Sequence, residues 1–294
     1  MSPAAGAALP WPAPAKLNLM LRILGRRADG YHRLQTVFQF IDHCDLVHLT
    51  LRSDGHIHRR ADIPGVSAEA DLTVRAARLL QGQTGCGLGA DIQVEKRLPM
   101  GGGLGGGSSD AATTLVGLNE LWGTGLQLHT LAELGLRLGA DVPVFVRGLA
   151  AWGEGVGEEL IPMPLPEPWY LVLTPPVAVS TAGVFADPGL TRDSAPITMH
   201  DFARGEAAND CLAVVRQRYP DVAQALDWLA AWGEARLTGT GGCVFAAFSD
   251  RDAALAARDA APAHLCGFVA RGLNRSPLLD RLDARVGGPR VGGP

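Results

Sequence analysis

Residues 101–107 in the middle of the chain read GGGLGGG, so six of the seven are glycine. Ordering such a run costs conformational entropy, which a folded protein accepts only for a reason. A strand pattern precedes the run, and Ser108, Ser109 and Asp110 open a helical pattern after it. Side-chain-free backbone lets N–H groups approach an anion, and the helix N-terminus adds unpaired donors and the positive end of its dipole. The run therefore predicts a phosphate-binding loop, and a flexible linker is the alternative.

The loop does not match the common phosphate motifs. The chain has no Gly-Lys pair, which excludes a P-loop. Gly101, Gly103 and Gly106 match GxGxxG, but a dinucleotide site needs an acidic residue at the end of a second strand roughly 20 positions on. That region, 121–127, reads as a helix end and a turn, with Glu120 still inside the helix. The HRD and DFG motifs of protein kinases are missing as well.

Composition excludes several classes of protein. The chain of 294 residues is 47% hydrophobic and 19% charged with a formal net charge of −4, which is typical of a soluble globular protein. We expect neither nucleic-acid nor membrane binding, because no basic block and no apolar stretch of roughly 18 residues occurs. The N-terminus does not resemble a signal peptide. The five cysteines are scattered without CxxC spacing, so we expect reduced thiols and a cytoplasmic location.

Strand and helix patterns alternate along the whole chain. Apolar alternation predicts strands at 14–24, 45–51, 91–96, 169–174, 243–248 and 265–270. Helical spacing predicts helices over 72–80, from Ser109 to Trp122, over 221–232 and over 250–260, and another that opens with a Thr130–Glu133 capping box and ends at Gly139. We expect a loop over 175–200, and the Pro-rich stretch 162–168 is the best candidate for a domain boundary.

Lysine is unusually rare in this chain. Only Lys16 and Lys96 occur, so 24 of the 26 basic residues are arginine. Codon bias is the simple explanation. However, an ammonium is a compact point charge and a guanidinium is a planar fork, so a retained lysine can mark a position that needs an ammonium.

Three motifs give the chain a family resemblance. The glycine-rich segment PMGGGLGGGSSDAA resembles the ATP-binding motif of the GHMP kinases, which phosphorylate small molecules such as galactose, homoserine and mevalonate. PAPAKLNL at 12–19 resembles the N-terminal motif of that family, and LTGTGGCVFAAF at 237–248 resembles its C-terminal motif. The resemblance implies an α+β, two-domain GHMP-kinase-type fold with the active site in the interdomain cleft. We expect domains at 1–160 and 161–284 and a disordered tail at 285–294.

Further segments narrow the resemblance to one branch of the family. Residues 24–42, 138–148 and 272–278 are similar to the kinases whose acceptor carries cytidine diphosphate and serves isoprenoid synthesis. The branch implies phosphorylation of the acceptor's 2-hydroxyl by ATP with Mg²⁺. Thr238 and Gly242 depart from the Ser and Ala that the branch favours. Another GHMP kinase, or a nucleotide sensor without catalytic activity, remains the alternative.

The resemblance also assigns roles to single residues. It makes Lys16 and Asp141 the catalytic pair. Without the resemblance, Lys16 would be interpreted as a lysine on the solvated face of a strand, and Asp141 as a cap or turn residue. Asn18, Tyr31, His32 and Phe185 become the substrate-binding residues, with Tyr31 and Phe185 stacking on the cytosine and His32 bonding its edge. The ATP-binding residues are Pro99, Met100, Gly101, Gly102, Gly103, Leu104, Gly105, Gly106, Gly107, Ser108 and Ser109. The metal ligands stay unassigned, and the sequence leaves monomer and homodimer open.

Overall fold

The structure, a computed structural model, describes residues 9–28 and 30–286. The strands are β1 (Trp11–Arg26), β2 (His32–Arg52), β3 (Ile57–Arg59), β4 (Gly89–Glu95), β5 (Ala151–Glu154), β6 (Glu159–Pro162), β7 (Trp169–Leu173), β8 (Arg236–Leu237), β9 (Val244–Phe248) and β10 (Gly267–Leu273). The helices are α1 (Leu72–Thr84), α2 (Gly106–Trp122), α3 (Leu128–Leu136), α4 (Val142–Arg147), α5 (Thr181–Phe185), α6 (Met199–Ala203), α7 (Leu212–Arg218), α8 (Pro220–Leu229), α9 (Arg251–Asp259) and α10 (Pro277–Val286).

The strands join into one sheet in which β2 is the hub. Its main path runs β3-β4-β2-β10-β7-β9-β8, and β1 and β5 also pair with β2. The β1–β2 pair is antiparallel and extends from Trp11 opposite Val47 to Arg26 opposite His32. Among the pairs of strands in the described residues, β3 with β4 is the parallel one. This mixture of helices with a largely antiparallel sheet confirms the predicted α+β class.

Strand β1 positions the site because it passes through three hydrophobic cores. Trp11 and Ala13 belong to the core beneath α1 to α4. Leu21 and Ile23, at the other end of β1, belong to the core around β7, β8 and β9. The middle of the strand, including Ala15 and Leu17, packs into a third core between them. Residues 16 to 18 are therefore held where the two halves of the molecule meet.

The strand patterns located elements but underestimated their length. The predicted strand at 45–51 is the end of β2, which has 21 residues. The helix predicted to start at Ser109 begins at Gly106 and ends, as predicted, at Trp122 before the left-handed Gly123. Glycine has a low helix propensity, which is why the pattern misplaced this start. The residue order of the glycine run alone does not reveal where the loop ends and the helix begins.

Two predictions of elements were wrong. Helix α3 runs from Leu128 to Leu136 with Gln127 as its N-cap, so Thr130 lies inside the helix and its capping-box spacing with Glu133 is coincidental. The segment 175–200 is not all loop, because α5 begins after Ser180, whose hydroxyl accepts a hydrogen bond from the Gly183 amide. A single turn of helix is too short to show an apolar period.

The C-terminal end of the described chain returns to the first half of the molecule. Leu278 of α10 is fully buried in the core beneath α1 to α4. The Arg281 guanidinium lies over the Trp11 ring at 5.1 Å from its centroid. Helix α10, predicted as part of the 161–284 domain, thus packs on the N-terminal unit. It also includes Arg285 and Val286 of the predicted tail, while 287–294 lies outside the described residues.

None of the helices in the described part of the chain is both long enough and apolar enough to cross a bilayer.

Candidate active site

The glycine-rich loop ends on the N-terminus of α2. Gly101, Gly103 and Gly105 all have positive φ angles between 71° and 76°. Gly105 is the N-cap and offers no side chain to the first N–H groups of the helix. These donors are therefore available to an anion, as the sequence predicts for a phosphate loop.

The third motif packs against this loop so closely that side chains are excluded at the contact. A β-carbon on Gly103 would lie 2.3 Å from the carbonyl oxygen of Thr238, and one on Gly242 would lie 2.8 Å from that of Gly101. The Cys243 amide donates to the Gly102 carbonyl at 3.0 Å. The turn at 238–243 thereby supports the loop from behind.

Lys16 is buried beside the loop and pairs with Asp141. The lysine is only 3% exposed, and its Nζ lies 3.4 Å from Asp141 Oδ2. Its backbone amide donates to the Leu104 carbonyl at 3.0 Å, which fixes β1 to the loop. Asp141 precedes α4, yet within the described structure its carboxylate makes no capping hydrogen bond. The structure thus brings together two residues that lie 125 positions apart and leaves the carboxylate facing the ammonium.

Asn18 connects this pair to the third motif. Its side-chain oxygen accepts a hydrogen bond from Lys16 Nζ, and its Nδ2 donates to Thr36 Oγ1 at 2.8 Å. Its backbone amide donates to Thr238 Oγ1 at 3.0 Å, and that hydroxyl donates to the Gly103 carbonyl at 3.3 Å. Asn18 therefore orients the lysine and links it through Thr238 to the loop, in addition to lining the cavity described below.

Three of the predicted substrate-binding residues form an aromatic wall. The rings of His32 and Phe185 are stacked, with centroids 5.0 Å apart and an angle of 20°. Tyr31 beside them is 62% exposed. One face of Phe185 is thus covered by His32. Among the described residues, His32 Nε2 is buried and has no hydrogen-bond partner.

Two arginines act on this wall. Burial lowers the pKa of His32, and the positive charges of Arg192 and Arg26 lower it further, so the imidazole is neutral at physiological pH. Arg192 also donates to the carbonyls of Phe185 at 2.8 Å, Asp187 at 2.6 Å and Leu190 at 3.1 Å. Its guanidinium therefore holds the segment that carries Phe185.

A single cavity of about 990 Å³ unites these features. Its volume lies at the upper end of the roughly 300–1,000 Å³ that is usual for small-molecule sites. The predicted residues on its wall are Lys16, Asn18, Tyr31, His32, Asp141, Phe185 and every residue from Pro99 to Ser108. Ser109, predicted to bind ATP, is fully buried off this wall, because it lies on the inner face of α2.

Sequence reasoning missed the far end of the cavity. The segment 63–73 and the start of α1 form a wall there, along with Lys96 and Asp110. Nothing in the periodicity of 60–71 indicates a binding surface. Lys96 did carry a signal, the rarity of lysine. Its Nζ donates to Asp45 Oδ2 and, at 2.8 Å, to Asp110 Oδ2.

Comparison with known proteins identifies the family. A model of the N-terminal domain of GHMP kinases matches residues 71–149, and a model of their C-terminal domain matches 197–265. The two matches fall on either side of the predicted boundary at 160/161, and the boundary itself stays a prediction.

Relatives of nearly equal length share more than half of the sequence. A 4-diphosphocytidyl-2-C-methyl-D-erythritol kinase of Nitrosococcus oceani is 59% identical over 273 residues, which are 93% of this chain and 98% of the relative. A kinase of the same name from Pseudomonas syringae pv. tomato is 59% identical over 271 residues, 92% of this chain and 96% of the relative. The chain belongs to the 4-diphosphocytidyl-2-C-methyl-D-erythritol kinase family. It is an ATP-dependent kinase.

Solved structures agree with this family. A crystal structure of 4-(cytidine 5′-diphospho)-2C-methyl-D-erythritol kinase superposes with a TM-score of 0.78 at 32% identity, covering 90% of this chain and 99% of that one. A mevalonate kinase gives a TM-score of 0.64 at 13% identity, covering 92% and 100%, and shows the shared fold only. The two-domain GHMP-kinase fold predicted from three motifs is confirmed.

Proposed function

We propose that this kinase transfers the γ-phosphoryl group of ATP to the 2-hydroxyl of 4-diphosphocytidyl-2-C-methyl-D-erythritol, in the non-mevalonate route to isoprenoid precursors. The products are the 2-phosphate and ADP. Full-length relatives at 59% identity carry the name of this activity, which supports the choice of acceptor. The reduced cysteines expected from the sequence support a cytoplasmic site of action.

The observation that carries the mechanism is the Lys16–Asp141 pair beside the phosphate loop. In the proposal, Asp141 accepts the proton of the 2-hydroxyl while the hydroxyl oxygen attacks the γ-phosphorus and the bond to the ADP oxygen breaks. The Lys16 ammonium orients Asp141 and stabilises negative charge that develops on the reacting oxygens. Asn18, which accepts from Lys16, holds the ammonium in place.

In this proposal ATP binds at the end of the cavity that the glycine-rich loop lines. Backbone N–H groups from Met100 to Ser108, which include the first turn of α2, bind the phosphates in this proposal. Ser108 contributes its hydroxyl as well. Ser109 stays outside this set, because its side chain is buried and its amide donates to the Gly105 carbonyl at 2.9 Å. This places the γ-phosphate next to Lys16, whose amide is bonded to the same loop.

The cytidine binds against the aromatic wall of Tyr31, His32 and Phe185 in this proposal. The exposed ring of Tyr31 offers a surface on which cytosine stacks, and the unpartnered Nε2 of His32 bonds the base edge. A neutral imidazole suits this task because it can donate or accept according to its tautomer. Phe185 supports His32 by stacking on it and closes the wall.

Magnesium fits this site as a companion of the nucleotide. Among the described residues, no group of three or more His, Cys, Asp or Glu side chains could hold a metal ion. This agrees with Mg²⁺, which keeps several waters and is bound mainly through substrate phosphates. When bound, it neutralises charge on the β- and γ-phosphates.

ADP release with Mg-ATP and a panel of acceptors tests the proposed function. The panel contains 4-diphosphocytidyl-2-C-methyl-D-erythritol, mevalonate, homoserine, galactose and no acceptor. We expect ADP with the first acceptor only. ADP with another acceptor retains the kinase and the Lys16–Asp141 pair but rejects the cytidine site. A folded sample that binds ATP and releases no ADP with any of them favours a nucleotide sensor.

A further inference from the structure

Both lysines of the chain lie at the start of α2, yet the proposed mechanism uses only one. Lys16 and Lys96 line the same cavity. A β-carbon on Gly105 would lie 3.1 Å from Lys16 Cε, and one on the next residue, Gly106, would lie 3.4 Å from Lys96 Nζ. The two ammonium groups therefore flank the point where the phosphate loop becomes a helix.

Lys96 is held by two buried carboxylates from different elements. Asp45 comes from β2 and Asp110 from α2, and the Lys96 ammonium donates to both. The other oxygen of Asp45 accepts the amides of Arg97 at 2.5 Å and Leu98 at 2.8 Å. This cluster ties the sheet to α2 directly behind Gly106.

The cluster has more negative than positive groups. Two carboxylates share one ammonium, and Asp45 and Asp110 are 0% and 3% exposed. Within the described residues, Asp110 Oδ1 has no hydrogen-bond partner, although Asp110 lines the cavity. Burial raises the pKa of Asp110, Lys96 opposes this and Asp45 reinforces it, so that the value lies at about 7. Burial lowers the pKa of Lys96, but Asp110 and Asp45 outweigh it and raise the pKa above its usual value.

Neighbouring groups do not compensate the excess, because burial disfavours the charged form of His43 and the other charged groups have opposite partners of their own. His43, on the same strand as Asp45, is stacked on Phe268, and burial lowers its pKa. The surrounding pairs are Asp71 with Arg59 before α1, Lys16 with Asp141 across β1 and α4, and Arg97 with Glu95 at the end of β4.

We propose that Asp45, Lys96 and Asp110 form a proton-linked support of the phosphate loop, in which the buried carboxylate pair takes up a proton when the triphosphate of ATP binds. The inference rests on the proposed place of ATP at this loop. Bringing further negative charge next to an already negative buried pair favours its protonated form. Once protonated, the cluster is neutral, and Lys96 remains bonded between β2 and α2. Lys96 and Asp110 are positioning residues in this arrangement.

The size of the effect follows from linkage. If the phosphates raise the pKa of Asp110 from about 7 by one unit, binding at pH 7.5 takes up about half a proton per nucleotide. The affinity for the nucleotide then falls about eightfold between pH 6 and pH 9, because protonation becomes harder as the pH rises.

Isothermal titration calorimetry on the full chain tests this without catalysis. The probe is the magnesium complex of the β,γ-imido analogue of ATP, titrated without acceptor in buffers of different ionisation enthalpy from pH 6 to pH 9. The slope of the observed enthalpy against the buffer enthalpy counts the protons. We expect uptake that is largest near pH 7.5 and vanishes toward both ends of the range.

The matched variant is Asp110→Asn, which keeps the side-chain shape but leaves one carboxylate for one ammonium. Both proteins bind the same nucleotide, so the difference in their proton counts isolates the pair. We expect Asp110→Asn to bind the analogue without proton uptake. Its affinity should change by less than about twofold between pH 6 and pH 9, compared with about eightfold for the wild type. Asp227→Asn, an exposed carboxylate on α8 paired with Arg216, should keep the wild-type count.

Each result decides the matter. Equal proton counts for the wild type and Asp110→Asn contradict the proposed proton-linked support. A wild-type count of zero at every pH contradicts it as well, and this result is independent of the variant. Either of these leaves the ATP site intact. A folded wild type that does not bind the analogue rejects the ATP site and, with it, both the support and the proposed function.

Discussion

Lys16 and Asp141 are unremarkable in the sequence, and the contact between them makes them candidate catalytic residues. A lysine on a strand and an aspartate before a helix each have an ordinary explanation. The 3.4 Å contact between a 3%-exposed ammonium and a carboxylate on the cavity wall removes both explanations. Within the described residues, the Lys16 ammonium bonds to Asn18 and Asp141, and both lie on the cavity wall.

We expect Lys16→Ala and Asp141→Asn each to lower turnover by about 10²–10⁴-fold, because each removes a group proposed to act in the transition state. The affinity for ATP should stay similar, since neither side chain is proposed to hold the nucleotide. Steady-state kinetics give turnover, and calorimetry gives the affinity. Residues that act as a unit are not additive, so the double variant should be little worse than either single one. Near-normal turnover in a single variant would reject the role of that residue.

His32 carries a prediction about pH. Its pKa is lowered by burial and then by Arg192 and Arg26, so the neutral form persists below the usual histidine value of about 6.5. The KM for the cytidine substrate should therefore stay constant from pH 8 to about pH 6.5 and rise only below that. Arg192→Met removes one positive charge and should move the onset of this rise to higher pH.

The control for that prediction is a second arginine, Arg218 at the end of α7, which bonds to the same segment as Arg192. Arg218 donates to the Gly183 carbonyl and pairs with Asp187, whereas the charges that lower the pKa of His32 are those of Arg192 and Arg26. Arg218→Met should leave the onset where it is in the wild type. NMR titration of the His32 ring in the free protein measures the pKa directly. An unchanged pKa in Arg192→Met contradicts the prediction.

At the scale of elements, the phosphate loop depends on contacts that exclude side chains. Gly103 has a φ of 76°, and a β-carbon there would lie 2.3 Å from the Thr238 carbonyl oxygen. Gly103→Ala has to push the loop off the 238–243 turn, and the left-handed conformation alone costs about 1–2 kcal/mol. We expect the KM for ATP to rise at least about tenfold, which is the equivalent of 1.4 kcal/mol.

Gly82 provides the matched control within α1. It has no heavy atom within 4 Å of the added carbon and an ordinary φ. Gly82→Ala should keep the wild-type KM and raise the free energy of unfolding by about 0.5–1 kcal/mol, because alanine is the better helix former. An equal rise of KM in both variants would show that the effect at Gly103 is not due to the contact.

Predictions of elements succeeded where several turns or strand pairs repeat one pattern. Helix α2 ends at Trp122 as predicted, and the core strands β7 and β9 were located to within a residue. Short elements such as α5 and α6 were missed, because five residues contain too little of a helical period. The continuation of β2 through 32–44 was missed because most of its residues are buried on both faces and do not alternate.

At the scale of the whole molecule, the two halves share one sheet and a returning helix. Strand β10 pairs with both β2 and β7, and α10 then packs against Trp11 and the first core. The site lies on the β1 strand that passes through all three cores. Separate unfolding of either half would expose the surfaces that these elements cover.

We therefore expect one cooperative unfolding transition, with coincident loss of helical circular dichroism and of tryptophan fluorescence in urea. Leu278→Ala removes a fully buried side chain of α10 and should lower the free energy of unfolding by about 2–5 kcal/mol. The whole transition should shift. Asp280→Asn on the exposed side of the same helix should change it by less than about 0.5 kcal/mol. Two separate transitions, or a shift in one probe only, contradict the prediction.

The sequence by itself determined the glycine-rich loop, the family, the kinase activity and part of the cavity wall, because glycine runs and motifs act locally along the chain. Only the tertiary structure decided that Lys16 meets Asp141, that Asn18 links Lys16 to Thr238, that Phe185 supports His32 and that Lys96 bridges two buried carboxylates. Each of these contacts joins segments far apart in the sequence. Their distances and burial, and hence the pKa shifts of His32, Lys96 and Asp110, exist only once β1, β2 and α2 are packed together.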